Sequence, residues 1–300
     1  MSHKKIVNKA KFIRSVFISI IAIALTVFAI KYISKKQSNK DEENKEIAST
    51  NIEEETKTEE TSTKTIESTS KLQEKLKTGK YLSSDGLPVL MYHFFYDKSK
   101  GETAKDGNWI EISDFEEQVK YLAENDFYFP TWQEVEDYID EKTELPEKSV
   151  VITVDDGDPT FFDLAVPIIQ KYNVQATSFV VAYWYGDRAE NKEQNISYQS
   201  HSYDMHKAGS NGKGAMLSLS DAKIKEDLEL SSQSLGGATI FCYPFGHYNE
   251  NCFKVLKDSG FKLAFTVEGG RVTKKANKYK LPRVRISGNT SMSAFMKKVE

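Results

Sequence analysis

Three hundred residues, a formal charge of −3 and no concentrated basic face argue against nucleic acid as the main partner. Only two cysteines occur, Cys242 and Cys252, too few for a disulfide scaffold and without the doubled spacing of a zinc ribbon, which leaves two thiols or a single bridge. Length alone fits two average domains or one α/β barrel, so segmentation has to come from the chain.

Residues 1–11 form a basic tail, and residues 12–33 are almost continuously apolar, with no charge from Val16 to Ile30. About 20 apolar residues are needed to cross a bilayer core, so this run predicts one membrane helix. No Ala-x-Ala site follows it, which favours an uncleaved signal anchor over a cleaved signal peptide. Lys4, Lys5, Lys9, Lys11 and Arg14 precede or open the run and predict a cytoplasmic amino terminus, with everything after the span outside. Residues 34–80 are rich in Glu, Lys, Thr and Ser and hold no Cys, Pro, Phe or Trp, a composition that cannot bury enough apolar surface to offset its ordering entropy. They predict a flexible charged linker reaching on the order of 40 Å, with a short helix at Lys71–Lys77. Residues 81–300 then form the fourth unit, one folded domain.

Within that domain, strand-like and helix-like stretches alternate. Strands are predicted at Pro88–Tyr92, Ser149–Val154, Ala176–Ala182, Ile196–Ser200, Thr239–Tyr243, Lys262–Thr266 and Leu281–Ile286. Helices are predicted at Ser113–Asn125 and from Thr131, each opened by a capping box, and at Phe161–Tyr172, Asp221–Leu235 and Cys252–Ser259. Such alternation implies a parallel sheet with helices outside it, and about seven strands in this length predict a distorted (β/α) barrel. Chemistry is then expected where strands end and loops begin.

Four strand ends carry candidate chemistry. Thr153-Val154-Asp155-Asp156-Gly157 places two carboxylates after an apolar strand; such a run is usually only a polar turn, but at a strand end one carboxylate can hold a metal while the other accepts a proton. His201-Ser202-Tyr203-Asp204-Met205-His206 follows the next strand but one. Two imidazoles five apart do not share a face of a regular helix, so a loop must bring them together. Two imidazoles and one carboxylate leave coordination positions open, as in a catalytic rather than a structural metal site. Phe241-Cys242-Tyr243-Pro244-Phe245-Gly246 and the strand ending in Tyr92-His93 each read alone as core packing or a hydrogen-bonded histidine.

Together these runs resemble the polysaccharide deacetylase family, carbohydrate esterase family four with its NodB-homology domain, over about residues 87–290. Within it the sequence is most similar to the branch acting on poly-β-1,6-N-acetylglucosamine, which has the wider histidine spacing, a Tyr-Pro-aromatic-Gly motif, and a permuted order that moves the catalytic histidine to an amino-terminal Tyr-His. The resemblance implies hydrolysis of N-acetyl groups on an extracellular amino-sugar polysaccharide. It also implies one divalent metal, by default Zn2+, on Asp156, His201 and His206, with Asp155 as general base and His93 as general acid. The backbone N–H of Phe245 is the implied oxyanion donor. Three departures stand out. Met205 occupies the usual second ligand position, Cys242 replaces the arginine that orients the base, and Val154 and Asp158 stand where aromatics are common. Arg283 or Arg285, on a late strand, is the candidate partner for Asp155. Rival readings are a peptidoglycan N-acetylglucosamine deacetylase and a non-catalytic polysaccharide-binding module; a serine esterase lacks its Gly-x-Ser-x-Gly elbow here.

Overall fold

A computed structural model describes residues 71–300 apart from Lys192. The apolar run at 12–33 and most of the charged linker lie outside the described residues, and among those described no helix is long and apolar enough to cross a membrane. The described chain opens in a helix at 71–76 (α1), whose Leu72 is buried among barrel-facing apolar residues.

Among the described residues, seven parallel strands close into a barrel. They are β1 (Val89–Tyr92), β4 (Val151–Val154), β5 (Ala176–Val180), β6 (Ile196–Ser200), β7 (Ile240–Cys242), β8 (Leu263–Gly269) and β9 (Leu281–Arg285), in that order, with β1 closing on β9. β2 (Phe94–Tyr96) and β3 (Trp109–Glu111) pair beside the barrel as a separate parallel ribbon. Each of these two has only three residues, too short for period-two patterning to register in the sequence.

Alternation along the strands separates the inside from the outside. Val89, Val151, Phe179, Cys242, Phe265 and Leu281 belong to one buried cluster. Trp132 closes that cluster, its ring 5.2 Å from Phe265 and 6.3 Å from Phe179. The intervening residues Leu90, Ile152, Val154 and Ala176 pack outward with Phe115 and Val119 of α2 (Ile112–Glu124) and Ile169 of α4 (Val166–Lys171). On the other flank, Ile224 and Leu228 of α6 (Asp221–Ser234) and Val255 and Leu256 of α7 (Glu250–Asp258) cover Phe241 and Ala264.

Several predicted boundaries shift for identifiable reasons. α2 begins at Ile112 because the Glu111 carboxylate accepts the Ser113 N–H, so Ser113 is inside the helix and does not cap it. The predicted box does form on α3 (Trp132–Ile139), where Thr131 and Glu134 cap reciprocally. The helix expected over Phe161–Tyr172 is a π-helical turn at Phe161–Ala165 followed by α4, next to Pro167, which has no N–H to continue the ladder. β5 ends at Val180 because the chain turns there into the short α5 (Ala182–Tyr185). The C-terminal α8 (Met292–Val299), capped by Ser291, is an element the sequence reading did not predict. Both cysteines are buried free thiols.

Candidate active site

The carboxyl ends of β1, β4, β6, β7 and β9 converge on one cluster. Asp155 and Asp156 follow β4; the backbone turns sharply there, with Asp156 at φ 74° and Gly157 at φ 72°. A Cβ on Gly157 would lie 2.9 Å from Val180, so the turn requires glycine. Ser202 and Phe245, after β6 and β7, are also left-handed, at φ 78° and 59°. Three non-glycine residues in this costly region at three strand ends mark the cluster as a place where geometry outranks local comfort.

Asp155 is 2% exposed and meets Arg283, itself fully buried on β9, through a two-pronged pair with both N···O distances at 2.7 Å. The guanidinium also donates to the Thr266 carbonyl at 3.0 Å, to Thr153 Oγ1 at 3.1 Å and to Cys242 Sγ at 3.1 Å. Burial alone would raise the Asp155 pKa, but the Arg283 charge and hydrogen bonds outweigh it and hold the carboxyl well below the usual range. Of the two late-strand arginines considered from sequence, Arg283 is therefore the partner of Asp155. Arg285 instead donates to Asn108 at 2.6 Å.

His93, just past β1, places Nε2 3.7 Å from Asp155 Oδ2. Burial lowers its pKa below the ordinary imidazole value, against the pull of Asp155 and Asp156. His201 and His206 both aim Nε2 at Asp156 Oδ1, at 3.4 and 3.3 Å. The Nδ1 of His201 lies 2.8 Å from the Cys242 carbonyl; donation there orients the ring and makes Nε2, which faces Asp156, the nitrogen that would hold a metal. Met205, between them, is fully buried in the apolar cluster under α6 and α7, so the five-residue spacing is the one that brings two imidazoles to the carboxylate.

Among the described residues, two triads have potential ligand atoms within 4.8 Å of one another: Asp156, His201, His206, and Asp155, His201, Cys242. In the second, the Arg283 guanidinium already contacts both Asp155 and Cys242, so a positive group fills it. In the first, the donor set of two imidazoles and one carboxylate suits a divalent metal such as zinc.

Sequence reasoning missed the residue that shapes the ligand loop. Asp227, on α6, accepts the Tyr203 and Asp204 N–H groups at 2.7 and 2.8 Å, bracing the segment between the two imidazoles. An acidic residue on a polar helix gives no signal of this in sequence. Phe245 lies 4.3 Å ring to ring from His206. His247, the other histidine near this loop, accepts the Gly214 N–H at 2.9 Å through Nδ1, a structural tie.

The fold and this cluster define a (β/α)-barrel enzyme with a paired-carboxylate and imidazole site at its strand ends. The model of the polysaccharide deacetylase family matches residues 142–264, a span that contains Asp155, Asp156, His201, His206 and Phe245. The chain is 32% identical over 214 residues to the poly-beta-1,6-N-acetyl-D-glucosamine N-deacetylase of Staphylococcus aureus (strain MRSA252), covering 65% of this chain and 73% of that protein. Among solved structures it is similar to IcaB from Ammonifex degensii, with 25% identity and a TM-score of 0.60, covering 73% of this chain and 97% of that one. The Streptococcus pyogenes deacetylase PplD, solved with acetate, shares the fold at 23% identity and a TM-score of 0.61, covering 71% of this chain and 98% of that one. The chain belongs to the polysaccharide deacetylase family and is an N-deacetylase, a hydrolase of N-acetylated polysaccharide.

Proposed function

We propose that the chain removes N-acetyl groups from extracellular poly-β-1,6-N-acetylglucosamine, using one divalent metal, Zn2+ by default, held by Asp156, His201 and His206. The observation that carries this reading is the convergence of those three donors beside an Asp155 carboxylate that Arg283 holds ionised. Similarity to the staphylococcal enzyme supports the choice of glycan.

A divalent ion bound there supplies a Lewis acid for the acetamide carbonyl and acidifies water. Asp155, weakly basic because of Arg283, accepts the proton of the attacking water. The Phe245 N–H donates to the developing oxyanion, and its left-handed turn fixes that direction in advance. The proton that Asp155 takes from the water passes to His93, whose Nε2 lies 3.7 Å away, and His93 gives it to the leaving amine; acetate and a free amino sugar result. The uncharged run Val16–Ile30 and the basic residues before it support a single-pass anchor in the cell membrane, with residues 81–300 outside.

Metal analysis tests the ligand assignment. The purified chain should hold about one divalent ion and lose activity with a chelator, and His206→Ala should remove most of that ion while Met205→Ala retains it. Loss of metal from Met205→Ala, with His206→Ala fully loaded, would overturn the assignment.

A further inference from the structure

Three large aromatic rings stand in water beside the cluster: Tyr183 is 62% exposed, Trp184 44% and Phe245 46%. They are grouped, not scattered. Trp184 meets His206 edge-on at 5.2 Å, Phe245 approaches the same imidazole at 4.3 Å, and Tyr183 packs edge-on against Tyr203 at 5.7 Å.

The backbone builds this placement. Beyond β5, the Ala182 N–H donates to the Ser202 carbonyl at 3.0 Å and the Tyr183 N–H to the Tyr203 carbonyl at 2.9 Å. α5 is thereby fastened to the loop that carries His201 and His206. On the other side, Gly246 lets the chain turn under Phe245; a Cβ there would lie 2.3 Å from Val267. Trp184 meets both His206 and Tyr185 edge-on and is still 44% exposed, so part of its ring surface remains in water. Clustered exposed aromatic surface continuous with a reaction site marks a ligand-binding surface.

We propose that Trp184 and Phe245, with Tyr183 at the outer edge, form a stacking subsite for the sugar adjacent to the one being deacetylated, so that the enzyme reads a glycan chain and not a single sugar. This rests on the polysaccharide reading above. A β-linked glucosamine ring carries its polar substituents equatorially and presents C–H groups on both faces. A flat aromatic ring covers one such face while the hydroxyls and amino group stay in water, the same division of an apolar body and a wet edge that suits Trp and Tyr to interfaces. Because Trp184 and Phe245 both touch His206, a sugar held on them lies next to the reacting acetamide.

Calorimetry on the full-length metal-loaded protein tests this with a β-1,6-linked glucosamine tetramer, which has the same pyranose faces and no acetyl group to lose. Trp184→Ala should raise the Kd about tenfold with metal content unchanged, and Trp184→Phe should restore binding to within about threefold of wild type. An unchanged Kd in Trp184→Ala, loss of metal from that variant, or no binding of the tetramer by wild type would overturn the subsite. Acetate release from the acetylated tetramer by wild type reports separately on the reaction, so its absence counts against the proposed substrate and not against the aromatic surface.

Discussion

Arg283 spends every N–H of its guanidinium inside the barrel, on Asp155, Thr153, Cys242 and the Thr266 carbonyl. Lysine has three donors on a point charge and cannot reproduce that fork, so Arg283→Lys should lower deacetylation about ten- to hundredfold, read as kcat/KM. Arg283→Met, which leaves Asp155 buried and unpaired, should destabilise the protein by about 3–5 kcal/mol in denaturant unfolding. The pair also sets an acid dependence. Asp155 has a folded pKa below its ordinary value of 3.8, so its contribution to stability is present above that value and is lost as pH falls toward the folded one. Asp155→Asn should therefore flatten the decline in stability below about pH 4 relative to wild type; an unchanged slope would remove Asp155 from the acid response. His93→Ala should reduce turnover by roughly 10²-fold with metal retained. His247→Ala, which only frees a loop tie, should remain active; the reverse pattern would move the acid to the loop after β7. The sequence exposed the candidate acid, base and ligands because each lies at a strand end in a recognisable run. Arg283 was one of two candidates on β9, and only the three-dimensional register decides which of two residues on one strand reaches the barrel interior.

At the scale of elements, the ligand loop is held from outside by α6. Asp227 receives two backbone N–H groups of that loop and sits on a helix whose sequence looks merely polar. Asp227→Ala should weaken metal binding about ten- to hundredfold, the usual scale for groups that orient ligands, with Asp227→Asn intermediate because an amide oxygen replaces only part of a carboxylate. Equal metal affinity in all three proteins would show that the loop needs no brace. Long strands and strongly periodic helices were legible because burial imposes a period on them. β2, β3 and the π-helical turn were not, since three-residue strands hold too few positions and the turn depends on a missing N–H at Pro167 within an otherwise helical pattern. Phe179 and Phe265, in tilted ring contact with Trp132 and with each other inside the barrel, show the same logic in packing. Phe265→Ala should cost about 3–5 kcal/mol of stability.

At the scale of the molecule, the barrel gathers Asp155, His93 and Arg283 although more than 60 residues separate His93 from Asp155 and more than 120 separate Asp155 from Arg283. Closure of β1 on both β4 and β9 does this, since it makes the first and last strands neighbours. The proposed anchor and most of the proposed linker lie outside the described residues, and the expectation for them is that the full chain stays with the membrane while Lys residues beyond position 40 are cut by protease added outside the cell. Recovery of a form beginning near residue 35 from the medium would point to a cleaved signal instead. The proposed reaction is metal-dependent removal of acetyl groups from a β-1,6-linked amino-sugar polymer. The most direct test measures acetate released from poly-β-1,6-N-acetylglucosamine, chitooligosaccharide and peptidoglycan side by side, each with and without chelator. Fastest release is expected from the β-1,6-linked polymer, with its loss on chelation; release undiminished by the chelator, or confined to peptidoglycan, would overturn the proposed function.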